Sequence, residues 1–135
     1  MKLITRETDY AIRALCFIAG SKEKKVSVHT LVEKLKIPRP FLRKLLQVLN
    51  KHKVLLSTKG SGGGFSLRVV PSKISLIDII AIFQGPFSIN ECFLKKAPCP
   101  RKAVCGLRKK IQTIEKIVAT ELQSVTIASL LKNKE

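Results

Sequence analysis

The chain has 135 residues, and its 26 lysines and arginines against 9 acidic residues give a formal net charge of +17. That length supports one compact domain with an extension rather than two independent domains, and the positive surplus points to a polyanionic partner. Four cysteines without a recognisable signal peptide argue against a secreted disulfide scaffold and for a reducing cytoplasm, and no apolar run approaches membrane-spanning length, so no membrane partner is expected.

The charge is uneven along the chain. Residues 1–60 hold 14 basic and 4 acidic side chains, residues 61–91 hold 2 of each, and residues 92–135 hold 10 and 3. An excess gathered into two blocks favours localised phosphate binding over a plain solvated coat.

From the N-terminus, Ala11, Ala14, Leu15 and Ile18 recur at helical spacing with Thr8 or Thr5 as cap, which predicts a first helix. Cys16 lies off that stripe and reads as a packing residue. Val28, Leu31, Val32 and Leu35 make a second stripe capped by Ser27, and the helix should stop near Ile37 ahead of Pro38 and Pro40. Pro40 suits the opening of a third helix, in which Leu42, Leu45, Leu46 and Leu49 face a core. Arg39, Arg43 and Gln47 repeat every four residues on another face, beside Lys44 and Lys51. Two short helices, a tight turn and an amphipathic helix with a basic outer face form a helix-turn-helix pattern.

Two strand-like runs follow, 54–58 and 65–69, joined by Lys59-Gly60-Ser61-Gly62-Gly63-Gly64. Such a hairpin makes a wing whose glycines allow main-chain amides to approach phosphate, so Lys59, Ser61, Gly62 and Gly63 join the recognition-helix side chains as candidate DNA contacts. The run lacks the lysine and hydroxyl that a nucleotide-hydrolase phosphate loop requires. Ser75 and Asp78 set a capping box for an apolar helix to about Phe83, ended by Gly85-Pro86. Leu107, Ile111, Ile114, Val118, Leu122 and Val125 then predict one long helix of roughly 36 Å if it runs to Leu130. A helix longer than its own domain needs predicts pairing with a second copy through Ile111, Ile114, Val118, Leu122 and Val125.

Between those last helices stand Cys92, Cys99 and Cys105, spaced C-x6-C-x5-C, with Cys99 between Pro98 and Pro100. The wide spacing suits a loop around a multi-metal cluster better than the C-x2-C knuckle of a zinc site. Three thiolates leave one coordination position to be supplied from elsewhere in the chain, a second subunit or a small molecule. The competing reading is that these cysteines simply pack or react as thiols. The fold class expected is mainly α with a small β-hairpin wing: a winged helix-turn-helix over 1–85, a cysteine-rich loop over 86–106, and a dimerisation helix and tail over 107–135.

Several motifs together resemble the Rrf-two family of bacterial winged-helix regulators, which includes the iron-sulfur cluster regulator and the nitrite-sensitive repressor. They are the opening Leu3-Ile4-Thr5 and Thr8-Asp9-Tyr10-Ala11-Ile12-Arg13, the wing signature Lys59 to Phe65, the three cysteines, and the closing Val125-Thr126-Ile127-Ala128-Ser129-Leu130. The resemblance implies a homodimer on a palindromic double-stranded operator, with a recognition helix of each subunit in the major groove and wings at the minor grooves. It also implies a 2Fe-2S or 4Fe-4S iron-sulfur cluster on Cys92, Cys99 and Cys105 whose state controls DNA affinity. The first cysteine spacing is one residue longer than in cluster-binding members, and the histidine ligand of the cluster-assembly regulator would fall at Arg108. In the nitrite-sensitive repressors an aspartate of the opening segment ligates from the other subunit. Asp9 occupies the matching place, with Glu7 behind it and Glu91 as the rival. The expected function is therefore a DNA-binding repressor switched by redox state, iron or nitric oxide; the alternative is a metal-free regulator of the same fold switched by a partner protein, a small molecule or thiol chemistry. No nucleophile, base and orienting group converge, so an enzyme is not expected.

Overall fold

The computed structural model describes residues 3–89 and 106–132. Helix α1 (Arg6–Gly20) starts at Thr5, whose hydroxyl accepts from the Thr8 amide at 3.3 Å, so of the two threonines Thr5 is the cap. Ala11, Ala14, Leu15 and Ile18 are buried as one stripe, and Cys16 packs half-buried against the same core. Helix α2 (Val28–Leu35) is capped by Ser27, which accepts from the Thr30 amide at 3.1 Å. It stops two residues before Ile37, because Lys36 turns left-handed at φ 59° and its amide closes the last turn on the Val32 carbonyl at 3.0 Å. Ile37 then enters the core.

Helix α3 (Arg39–Lys51) follows from Pro38 and carries Pro40 in its first turn, where the missing amide is no loss. Leu42, Leu45, Leu46 and Leu49 are all buried beneath it. Its end is a Schellman turn: the Lys53 amide donates to Asn50 and the Val54 amide to Leu49, both at 3.0 Å, with Lys53 at φ 62°. Strands β1 (Leu55–Thr58) and β2 (Gly64–Leu67) pair antiparallel, Ser57 opposite Phe65. Val26, in the segment leading to α2, exchanges both backbone hydrogen bonds with Phe65, at 2.9 and 2.8 Å. That bridge fastens the wing to the helix-turn-helix.

After a 3-10 turn at Pro71–Lys73, helix α4 (Leu76–Gln84) opens with the Ser75–Asp78 capping box and packs on α1. Helix α5 (Gly106–Ser124) packs on α4. The expectation of one helix running to Leu130 is corrected here. The chain leaves helical geometry at Val125, Thr126 bridges Ser75, and α6 (Ile127–Lys132) begins anew. Three interactions break the helix. The Leu76 amide takes the Val125 carbonyl at 2.9 Å, the Ile127 amide donates to Ile74 at 3.0 Å, and Thr126 and Ser129 cap each other's amides at 2.9 and 3.1 Å. Ile127 is fully buried, and α6 lies against α1 and the 3-10 turn. The last helix therefore completes the DNA-binding unit's core, and α5 alone, about 28 Å long at 1.5 Å per residue, extends beyond it.

Candidate nucleic-acid interface and the surrounding site

Helical repeat puts the buried leucines of α3 on one side, leaving Arg39, Arg43, Lys44, Gln47 and Lys51 exposed. Arg43, Gln47 and Asn50 line one wall of a groove whose other wall is Ser57, Thr58, Lys59 and Gly60 of the wing. The structure thus brings the basic helix face and the wing together, and adds Asn50 and Ser57, which the sequence reading missed. Asn50 continues the three-to-four-residue repeat of Arg43 and Gln47, so the signal was present. Lys44 does not join this groove; it borders a small cleft on the α1 and α4 side with Glu7, Phe41 and Phe83.

At the wing tip, Gly62 has φ 77°, and a side chain at Gly63 would collide with the Thr58 carbonyl. The Gly63 amide closes the turn on the Gly60 carbonyl at 2.9 Å. Gly60, Ser61 and Gly62 remain exposed next to Lys59, an arrangement of bare backbone and one ammonium suited to phosphate.

Cys92, Cys99, Cys105 and the rival ligand Glu91 lie outside the described residues. Asp9, in the first turn of α1, is half-exposed and accepts from Arg13 Nε at 2.9 Å; Glu7 is exposed beside it. Among the described residues no three His, Cys, Asp or Glu side chains come together as a metal site. The donor chemistry nonetheless fits an iron-sulfur cluster: three thiolates are soft ligands suited to iron and sulfide.

A junction invisible in the sequence lies close to Asp9. Gln84, the last residue of α4, accepts on Oε1 from the Thr5 amide at 3.0 Å and from the Thr8 hydroxyl at 2.7 Å, and its Nε2 donates to the Leu3 carbonyl at 3.3 Å. The root of the cysteine segment is thereby tied to the start of α1. Along α1, Tyr10 meets Phe41 of α3 edge-on, ring centroids 5.5 Å apart.

The expected pairing stripe on α5 divides in two. Leu122 is 9% exposed and Ile111 and Val118 are half-buried; Val125 lies in the break after the helix. Glu115 on the same side accepts from the Ile89 amide at 3.2 Å. Leu107, Ile114 and the unforeseen Ile117, 72, 40 and 60% exposed, form an uncovered flank roughly a quarter-turn away.

Comparison with known proteins agrees with this architecture. Residues 4–133 match the Rrf2 family model, described as iron-dependent transcriptional regulator. A relative from Aquifex aeolicus, named only as an HTH-type transcriptional regulator, is 34% identical over 128 residues, covering 93% of this chain and 89% of its own length. The HTH-type transcriptional regulator NsrR of Bacillus subtilis is 31% identical over 137 residues, covering all of this chain and 93% of its own. Among solved structures, CymR, the global cysteine regulator of B. subtilis, superposes with a TM-score of 0.80 at 24% identity, covering the whole of both chains. T. potens IscR gives 0.76 at 25% identity over all of this chain and 89% of its own. Members of the matched family are DNA-binding transcriptional regulators, not enzymes, and among the described residues no helix is long and apolar enough to cross a membrane. With its helix-turn-helix, wing and sequence match over nearly the full length, the chain belongs to the Rrf2 family of winged-helix transcriptional regulators.

Proposed function

We propose that the chain acts as a homodimeric repressor that reads a palindromic operator and whose DNA affinity is set by an iron-sulfur cluster on Cys92, Cys99 and Cys105, completed by Asp9 of a second subunit. The observation that carries the reading is the set of three cysteines between α4 and α5, in a chain whose family is described as iron-dependent. When bound, the cluster supplies a centre reactive toward oxygen, nitric oxide and iron supply.

The chain's own residues do the rest. Arg39, Arg43 and Gln47, with Lys44 and Lys51 toward the backbone, meet the major groove, while Lys59, Ser61, Gly62 and Gly63 meet the minor groove and its phosphates. Dimerisation uses the uncovered flank of α5, Leu107, Ile114 and Ile117, since burying it requires a second surface. Gln84 and the Tyr10–Phe41 contact offer a continuous path from the cysteine segment to the recognition helix. Anaerobic purification followed by an absorption spectrum with iron and sulfide analysis tests the cluster. A brown, iron- and sulfide-containing protein that loses colour when any of Cys92, Cys99 or Cys105 becomes Ser is expected; a colourless anaerobic protein with neither element overturns it.

A second reading, a cluster-free regulator working through thiols or a bound partner, is favoured by one contact: the Asp9 carboxylate is already engaged by Arg13 at 2.9 Å. In that case Asp9→Ala leaves DNA binding and its response to oxidant unchanged, whereas cysteine substitution alters the response.

A further inference from the structure

One side-chain cluster joins the two helices of the helix-turn-helix at the ends that approach DNA. His29 is the second residue of α2 and Arg39 the first of α3. Arg39 Nη2 lies 3.3 Å from His29 Nδ1, and Glu33, one turn along α2, places Oε2 3.9 Å from His29 Nε2. A guanidinium only donates, so Nδ1 accepts and the ring proton sits on Nε2, facing Glu33. At 3.9 Å, between side chains 72 and 68% exposed, Glu33 attracts that proton electrostatically without a hydrogen bond.

The placement of Arg39 serves a ligand more than the fold. Neither α2 nor α3 carries an acid in its first turn, and α3 opens with a cation where the helix dipole favours an anion. The first residues of a recognition helix are also those that reach base edges. With one amino nitrogen held by His29, the opposite edge of the guanidinium fork stays free for the two acceptors, O6 and N7, that guanine shows in the major groove. Holding a long, rotamer-rich side chain in that pose before contact lowers the ordering cost of binding.

We propose that His29 is a positioning residue for base recognition: it presets the Arg39 guanidinium for a bidentate contact to guanine. The proposal rests on the reading that α3 enters the major groove. For the test, the full chain selects duplexes from a random-sequence library, and affinities of variants are then measured on the selected duplex and on a scrambled one of equal composition. Arg39→Ala should weaken the selected duplex roughly 10- to 100-fold, and His29→Ala roughly 3- to 10-fold, with less than about a twofold change on scrambled DNA. The double variant should bind no more weakly than Arg39→Ala alone. His29→Gln, whose amide oxygen can accept the same bond, should recover the loss. Equal losses on both duplexes would mean that His29 touches phosphate itself; that result, or losses of the two single variants that simply multiply, or no loss at all, overturns the proposal. If the unmodified protein selects no duplex, the DNA-reading role of α3 falls instead.

Discussion

Gln84 concentrates three hydrogen bonds at the point where α4 ends, and one of its partners, Thr8, is fully buried. Thr8→Val keeps the shape of that side chain and removes its donor, so we expect a loss of about 1 kcal/mol, read as a lower urea midpoint at unchanged slope. Gln84→Leu abolishes all three bonds and should cost about 1 to 3 kcal/mol. Asp9 behaves differently. Its contact with Arg13 joins side chains 46 and 61% exposed, so Asp9→Ala should shift stability by less than about 1 kcal/mol. A change in cluster spectrum or nitric oxide reactivity in that variant would therefore report lost ligation rather than lost folding. Spectra and titrations unaltered by Asp9→Ala but changed by Glu91→Ala would move the fourth ligand to Glu91. The role of Asp9 as a candidate came from its place in Thr8-Asp9-Tyr10-Ala11, whereas its pairing with Arg13 follows the i, i+4 spacing that the sequence already displays. The Gln84 junction spans 79 residues to Thr5, and no local pattern announces such a contact.

At the scale of elements, the wing and the α5–α6 break each carry an expectation. Gly63→Ala forces a side chain onto the Thr58 carbonyl, while Gly62→Ala meets only its own positive φ in open space. The first should therefore disturb the wing and weaken binding to specific and random duplexes alike, and the second should cost about 1 kcal/mol or less. Salt-dependent titrations on both duplexes, beside thermal melts, separate the two. Ile127→Ala should destabilise the protomer by about 2 to 5 kcal/mol, because Ile127 is a fully buried core residue and not part of a pairing helix. Helix starts are legible at Ser27, at Pro40 in the first turn of α3 and at the Ser75–Asp78 box, whereas the end of α2 comes at Leu35, set by the left-handed Lys36 rather than by the prolines. The break after α5 is masked in the sequence because apolar residues continue at helical spacing across it. The Thr126-x-x-Ser129 cap was visible, but the backbone pairing with Ile74 and Ser75 that selects a break is long-range. Val26 joining the wing is likewise a single bridge with no periodic signature.

At the scale of the whole molecule, a charge of +17 and a basic helix-and-wing groove predict DNA affinity that falls steeply with salt. Within that general attraction, Arg43→Ala should cost about 1 to 3 kcal/mol on the operator and relax preference if it reads a guanine, whereas Lys59→Ala should weaken all sequences evenly and flatten the salt slope by about one unit. In the proposed dimer, the symmetry of the operator would depend on how two such faces are held, and the exposure pattern of α5 bears on that. Helical spacing in the sequence identifies an apolar stripe but cannot say which part of it the protomer covers; in the structure Leu122 is buried and Ile111 and Val118 half-buried, while Leu107, Ile114 and Ile117 stay exposed. A charge introduced on the outer flank should therefore separate subunits without unfolding them, and a charge on the inner side should unfold the protomer itself. Ile117→Asp is expected to sediment as a folded monomer that still melts cooperatively, its midpoint no longer dependent on protein concentration, with sharply weaker operator binding, because a lone recognition helix meets only one half-site. Leu122→Asp should instead lower the melting temperature before any effect on association can be read. A dimer that persists in Ile117→Asp, Ile114→Asp and Leu107→Asp alike would place the interface on another face, and the spacing between recognition helices would then have to be set without the uncovered flank of α5.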